Sequence, residues 1–244
     1  KDERVDLFFP GDSDSPNIFI SYCPERVMPG NTLAELVSND RIIGGLTNSC
    51  SDQSIMLYRT FVEGEFIKSD ARTAELAKLT ENAFRDVNIA FANEISLISD
   101  QLDVDPWEVI KLANRHPRVN MLEPSTGVGG HCIAVDPWFI VSCSQDLSKL
   151  IRTARQVNDG KPEWVIGKVK ESVTTLAHAM NKSESQIVVA CLGLSYKANI
   201  DDLRESPSLR IYQSLKEDLG GDVLACEPNV YEGETIRRFG LISL

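Results

Sequence analysis

Between Ser69 and about Leu102 the chain contains neither proline nor glycine. Apolar residues return there at Ala74, Ala77, Phe84, Val87, Phe91, Ile95 and Ile98, in steps of three and four. That spacing predicts one amphipathic helix, capped at Ser69 or Asp70, which at 1.5 Å per residue would run about 45 Å. A helix of that length suits a spine that joins domains or pairs two copies of a chain, so the rest of the sequence is expected to hang from it.

On the N-terminal side, Asp12–Pro16 reads as a turn, 17–22 as a short strand, 41–46 as a second strand ended by a glycine pair, 51–62 as a helix and 64–69 as a strand or loop. After the spine, Asp105-Pro106-Trp107 opens a helix to about Asn114. The stretch 115–131 is a loop, and helices are expected over 146–158 and, after Lys161-Pro162, over 163–180. Gln186–Leu192 is an apolar strand, Ser206-Pro207 starts a helix to Leu219, and Asp222–Cys226 is a second strand. Strand, helix, strand is a βαβ unit of a parallel sheet. The fold expected is α/β overall, with a parallel-sheet domain from near residue 183.

Composition narrows the function classes. The 244 residues carry a net charge of −11, which repels phosphate backbones and anionic lipid, so neither nucleic acid nor membrane is an expected partner. No apolar run reaches the roughly 18 residues of a membrane span. Six cysteines without a Cys-x-x-Cys pair, and three histidines, give no metal-ligand spacing. They read as reduced thiols, mostly buried, of a cytoplasmic protein. The chain opens on Lys1 with neither Met nor a signal pattern, as a piece of something longer would.

Three groups of residues suggest chemistry. Lys78, Asn82 and Arg85 stand at i, i+4 and i+7 and share a helix face. They read either as a solvated polar stripe or as a grip on negative oxygen atoms. Gly127-Val128-Gly129-Gly130-His131-Cys132 lets a backbone approach a ligand and ends in a thiol that a nearby cation could activate. Asp136-Pro137 follows, where Asp136 reads equally as a plain helix cap. Arg115, His116 and Arg118 in the loop, with Lys197 and Arg204 beyond the first C-terminal strand, could hold a phosphorylated small molecule.

The order Pro-Glu-Arg-x-x-Pro-Gly (24–30), Glu-Leu-Ala-Lys-Leu-Thr-Glu-Asn-Ala-Phe-Arg-Asp-Val (75–87), Gly-Val-Gly-Gly-His-Cys-Ile-Ala-Val-Asp-Pro (127–137) and Gly-Leu-Ser-Tyr-Lys-Ala-Asn-Ile-Asp-Asp-Leu-Arg-Glu-Ser-Pro (193–207) resembles the UDP-glucose/GDP-mannose dehydrogenase family. Pro-Glu-Arg, Asn-Arg-His-Pro-Arg-Val-Asn (114–120) and Asp-Pro-Trp-Phe (136–139) resemble its branch that oxidises UDP-N-acetylhexosamines, with UDP-N-acetyl-D-mannosamine as the substrate implied. The family's plan implies a remnant of an N-terminal domain (1–68), an all-α central dimerisation domain around the long helix (69–182) and a partial Rossmann-like domain (183–244). The resemblance implies two successive oxidations of C6 by NAD, from alcohol through aldehyde to carboxylate. It implies Cys132 as the nucleophilic thiol, Lys78 as the group stabilising the C6 oxyanion, Asn82 as the group orienting it, Asp136 as the aid to water and Glu25 beside the reacting sugar. Arg26, Val27, Arg85, His116, Arg118, Gly129, Tyr196, Lys197 and Arg204 fall at sugar-nucleotide positions, with Arg204 also touching NAD and part of the basic loop crossing a homodimer. The sequence has no strand followed by G-x-G-x-x-G, so the NAD domain is expected to be missing and the chain alone to turn over little or not at all. The alternatives are a non-catalytic UDP-sugar-binding dimerisation piece, or a dehydrogenase of UDP-GlcNAc or UDP-GalNAc.

Overall fold

A computed structural model describes residues 7–11, 17–27 and 31–229. The 12–16 turn and the Pro-Gly end of the first motif lie outside these residues. The chain divides into two compact units, 1–81 and 82–244, each built around its own parallel strand pair.

The first unit holds β1 (Ser21–Tyr22), α1 (Thr32–Ser38), β2 (Arg41–Gly45), α2 (Asn48–Tyr58) and β3 (Phe66–Asp70). β2 is central: it pairs antiparallel with β1 and parallel with β3, Arg41 facing Phe66 and Gly45 facing Asp70. Thr47 caps α2 by accepting from the Cys50 amide at 3.2 Å. The strand expected over 17–22 shrinks to two residues, and α1 was not foreseen. None of the residues of α1 is buried, so no apolar period announces it.

α3 (Ala71–Gln101) is the long helix, and it runs through both units. Asp70 caps it, accepting from the Thr73 amide at 3.0 Å. The expected apolar repeat is only partly inside: Ala74 is fully buried, and Ala77, Val87 and Ile95 are half-buried. The face packed inside the second unit consists of Asn82, Ala83, Asp86, Ala90, Asn93, Ser96 and Ser99. Phe84, Phe91 and Ile98, the large residues of the apolar repeat, are 68%, 53% and 43% exposed. Small side chains let neighbouring backbones come close, and polar ones satisfy each other there, so this face is buried without being greasy.

α4 (Pro106–Ala113) is capped by Asp105, which accepts from the Trp107 amide at 2.9 Å. An irregular segment then leads to α5 (Asp136–Cys143) and α6 (Lys149–Met180). The two helices expected over 146–180 are one, with Pro162 inside it. Proline removes one backbone N–H, but the buried stripe Ala154, Asn158, Lys161, Pro162, Ile166, Val173 and Ala177 continues through it at steps of three, four and seven. Burial along that stripe outweighs one missing bond.

Lys161 lies within this stripe, its Nζ donating to Ser96 Oγ at 2.6 Å and sitting 4.0 Å from the Trp164 ring centre. Burial pushes its pKa down from 10.5 to about 8, against the pull of Asp100. Between those two values the unfolded chain carries the proton and the folded chain does not, so stability contributed here grows as pH rises through that window. The urea midpoint of the wild type should therefore gain on that of Lys161→Met between about pH 8 and 10.5. A difference that stays flat with pH would contradict this.

The last part of the second unit is β4 (Val189–Leu192), α7 (Pro207–Asp218) and β5 (Val223–Cys226), with β4 and β5 parallel and Val189 facing Val223. Residues 184–186, partly read as strand, form a 3₁₀ turn. Leu194, Ile211, Tyr212, Leu215, Val223 and Ala225 make its core with Ile166 of α6. Among the described residues no strand lies between β3 and β4. The expected α/β fold, with an all-helical middle and a βαβ unit after it, is the one observed.

Candidate functional site

Cys132 is exposed at the end of the glycine loop, one turn before α5. Its carbonyl accepts from the amides of Val135 and Asp136 at 3.1 and 2.8 Å, which ties the thiol to the start of that helix. Asp136 is not the cap: Val135 holds that position, and no side chain caps it. The Asp136 carboxylate instead accepts from Asn82 Nδ2 at 2.5 Å. The structure thus joins two of the sequence candidates directly, from α3 to α5, and leaves Asp136 free of a merely local duty.

At two of the glycines the chain itself packs where a side chain would stand. A Cβ at Gly129 would lie 2.6 Å from Tyr196 Cβ and 2.7 Å from the Glu205 carbonyl, and one at Gly127 2.9 Å from Pro207 Cβ and 3.2 Å from Pro162 Cγ. Gly127 and Gly130 also have φ of 139° and 79°, which glycine alone adopts without strain. The Gly130 amide donates to the Arg204 carbonyl at 3.3 Å. The loop is therefore locked onto the turn after β4 by its own chain. Gly129→Ala should cost about 1–3 kcal/mol by overpacking that turn, read as a lowered urea midpoint; an unchanged midpoint would refute the lock.

Arg204 is exposed, and Asp202 takes its guanidinium in a two-pronged pair, with contacts of 2.6 to 3.0 Å. That pair holds the Asp202 carboxyl down at about 2, with a smaller contribution from His131. Arg204 in turn is raised chiefly by Asp202, with Tyr196 and Cys132 close enough to add to it. Arg204 is thus within electrostatic reach of Cys132, with its guanidinium engaged by Asp202.

At the carboxyl ends of β4 and β5 a cavity of about 510 Å³ opens, lined by Gly193, Ser195, Lys197, Asn199, Ser208 and Glu227 among others. Open α/β sheets bind ligands at this edge. Glu227, which sequence reasoning missed, accepts from the amides of Leu194 and Ser195 at 2.7 and 2.8 Å. Burial opposes its charge, but these amides outweigh it and hold the carboxyl below its usual value. Its place directly after β5 was the available signal.

The remaining candidates are dispersed. His116 and Arg118 are exposed and bonded to each other, the Arg118 amide donating to His116 Nδ1 at 3.3 Å. Arg85 and Lys197 are exposed. In the first unit, Glu25 pairs with the buried Arg41 at 2.9 Å, and Arg26 with Glu81 at 3.0 Å. Burial works against the Glu25 charge, yet Arg41 and the amides of Arg26 and Val27 bring its carboxyl below the usual value. Val27 and Lys78 are half-buried, Lys78 one helical turn before Asn82 on α3. Of the six thiols only Cys50 is buried, while Cys132 and Cys143 are exposed, which corrects the expectation that most are inside.

The β2–α2–β3 crossover has the parallel order of a dinucleotide domain, and its Gly44–Gly45 pair ends β2. A Cβ on Gly44 would lie 2.5 Å from Ala74 Cβ, and one on Gly45 2.5 Å from the Thr47 carbonyl. Both glycines are thus held there by close packing of their own chain.

Comparison with known proteins matches three domain models of one family. Models of the UDP-glucose/GDP-mannose dehydrogenase family match in order: its NAD binding domain at 9–62, its central domain at 72–160 and its UDP binding domain at 190–242. The expectation that the NAD domain is missing is thus overturned, since residues 9–62 match it. The chain is 55% identical over 228 residues to a UDP-N-acetyl-D-mannosamine dehydrogenase of Salmonella typhimurium, covering 93% of this chain and 54% of that protein. It is also 55% identical over 229 residues to an NDP-N-acetyl-D-galactosaminuronic acid dehydrogenase of Ralstonia nicotianae, covering 93% and 52%. A solved UDP-N-acetyl-mannosamine dehydrogenase from S. aureus superposes with a TM-score of 0.79 at 46% identity, covering 89% of this chain and 50% of that one. The chain spans about half the length of the curated relatives it matches. With its three domain types in order over most of its length, the chain belongs to the UDP-glucose/GDP-mannose dehydrogenase family.

Proposed function

We propose that the protein oxidises C6 of UDP-N-acetyl-D-mannosamine to the uronate, with domains over 1–68, 69–182 and 183–244. One observation carries this reading: the glycine loop that ends in the exposed Cys132 is packed onto the turn after β4, in the domain whose sheet edge opens a cavity. The relatives' names point the same way.

In this reading the UDP moiety occupies the cavity at the ends of β4 and β5, with Lys197 and Tyr196 among its contacts and Glu227 holding the Leu194–Ser195 turn. Arg26, Val27, Arg85, His116, Arg118, Gly129 and Arg204 hold the rest of the sugar nucleotide. NAD, when bound, supplies the two-electron acceptor. Cys132 adds to the C6 aldehyde as a thiohemiacetal, which keeps that carbon bound until it is a thioester that water can cleave. Lys78 stabilises the negative oxygen on C6, Asn82 orients it, and Glu25 lies by the sugar. Asp136, bonded to Asn82, accepts a proton from the attacking water. The exposed Phe84, Phe91 and Ile98 recur every seven residues on one face of α3, which suits a second copy of the chain packed along it.

Titration calorimetry of this chain with UDP and with UDP-N-acetylmannosamine tests the binding half. Heat of binding that weakens in Lys197→Ala is expected; the absence of binding to either would overturn the reading. The equal identity to the Ralstonia galactosaminuronic acid enzyme favours UDP-N-acetylgalactosamine as the second reading, and rates on the two sugars decide between them.

A further inference from the structure

The polar residues buried between α3 and α6 have no part in the chemistry just proposed, yet their bonds end on the loop that carries Cys132. Asn93 is completely buried, and both ends of its amide are used. Its Oδ1 accepts from the backbone amide of Ser125 at 2.7 Å, and its Nδ2 donates to Asn158 Oδ1 at 2.8 Å. Asn158 donates onward to Asp86, at 2.8 Å to Oδ1 and 3.0 Å to the carbonyl. Asp86 Oδ1 receives Arg155 NH1 at 2.6 Å. Ser125 Oγ then donates to the Gly127 carbonyl at 2.7 Å, at the start of the glycine loop.

The direction of this chain is set by chemistry. A backbone N–H only donates, so Asn93 must turn its oxygen to Ser125 and its NH₂ to Asn158. Asn158 must therefore offer its oxygen to Asn93 and its NH₂ to Asp86, which accepts as a carboxylate because Arg155 faces it. No amide in the series can flip without setting two acceptors or two donors against each other among almost wholly buried side chains, a cost of about 1–3 kcal/mol per unsatisfied group. The irregular segment from 114 to 135 has few other fixed points. One is the Asn114 clip on Met121, at 3.0 and 2.7 Å; another is the glycine lock itself. Ser125 lies between them.

We propose that Asn93 is a positioning residue for Cys132: through Ser125 it holds the approach to the glycine loop, and Asn158, Asp86 and Arg155 fix the orientation of its amide. The inference rests on the proposed role of Cys132 for its catalytic consequence, but not for its structural one.

The test is hydrogen exchange on wild type and Asn93→Ala, with steady-state kinetics alongside. Amides of 122–133 should exchange at least about tenfold faster in the variant, while those of α3 and α6 keep their rates. Turnover should show a fall in kcat larger than any change in KM for the sugar nucleotide. Loop amides that stay protected, or helices that open together with the loop, would overturn the proposal. Asn93→Asp keeps the size and the acceptor for Ser125 but faces Asn158 with a second acceptor, and it serves if the alanine variant fails to fold. Its loop should be unprotected at mildly alkaline pH and regain protection at mildly acid pH, where the introduced carboxyl can donate; protection independent of pH would count against the relay. If the wild type never turns over any UDP-sugar while the loop still loosens in the variant, the functional reading fails and the strap stands.

Discussion

Cys132→Ser should lower NADH formation from the sugar nucleotide by roughly a thousandfold or more, the scale on which loss of a covalent nucleophile is felt, while UDP binding stays within a few-fold. The reason lies in where the thiol sits. It is exposed at the end of the glycine loop and tied by its own carbonyl, not its sulfur, to the first turn of α5. Serine is close to isosteric and leaves the loop packing alone, but its hydroxyl is far less ionised and far less nucleophilic. Cys143→Ser gives the control: that thiol is also exposed, at the end of α5, and its replacement should leave turnover unchanged. Equal losses in the two variants, or activity within tenfold of wild type in Cys132→Ser, would remove Cys132 from the reaction.

The largest stability effect is expected at Arg155→Leu, about 3–5 kcal/mol by urea unfolding. Arg155 and Asp86 are almost wholly buried and bonded at 2.6 Å, and Arg155 also pairs with Asp159. Burial drives the Asp86 carboxyl upward, and Arg155 is the main force pulling it back. Without the guanidinium, Asp86 must either stay charged among α3 and α6 or take up a proton, and in both cases the Asn158 relay loses its anchor. The destabilisation should shrink as pH falls and Asp86 neutralises, because an uncharged carboxyl no longer needs a counter-ion. A loss below about 1 kcal/mol, or one that grows towards acid pH, would show that the pair is not what joins the helices.

The sequence disclosed whatever is encoded locally. Asp70, Asp105-Pro106 and Ser206-Pro207 mark helix starts because a cap acts on amides two or three residues away. The βαβ pattern of 186–226 and the four chemical motifs were equally legible. What escaped was settled by packing. Pro162 argued for a break, and the buried stripe of α6 carried the helix through it. Phe84, Phe91 and Ile98 of the apolar repeat are exposed, whereas Asn82, which could equally have been solvated, is buried, as are Asp86 and Asn93. A polar residue in a helix reads as solvated until its partner is known, and here the partners are 54 to 72 residues away. The glycine loop was found from its sequence, but its packing was not: its Cβ positions face Tyr196, Glu205 and Pro207.

The most direct test of the account is a stoichiometry. With the protein expressed from its own gene, NADH formed should be compared with UDP-N-acetylmannosamine consumed, and the product identified by mass. Two hydride removals at one carbon predict about two NADH per sugar and a uronate product. About one NADH per sugar with a free aldehyde, or consumption of no UDP-N-acetylhexosamine at all, would contradict it.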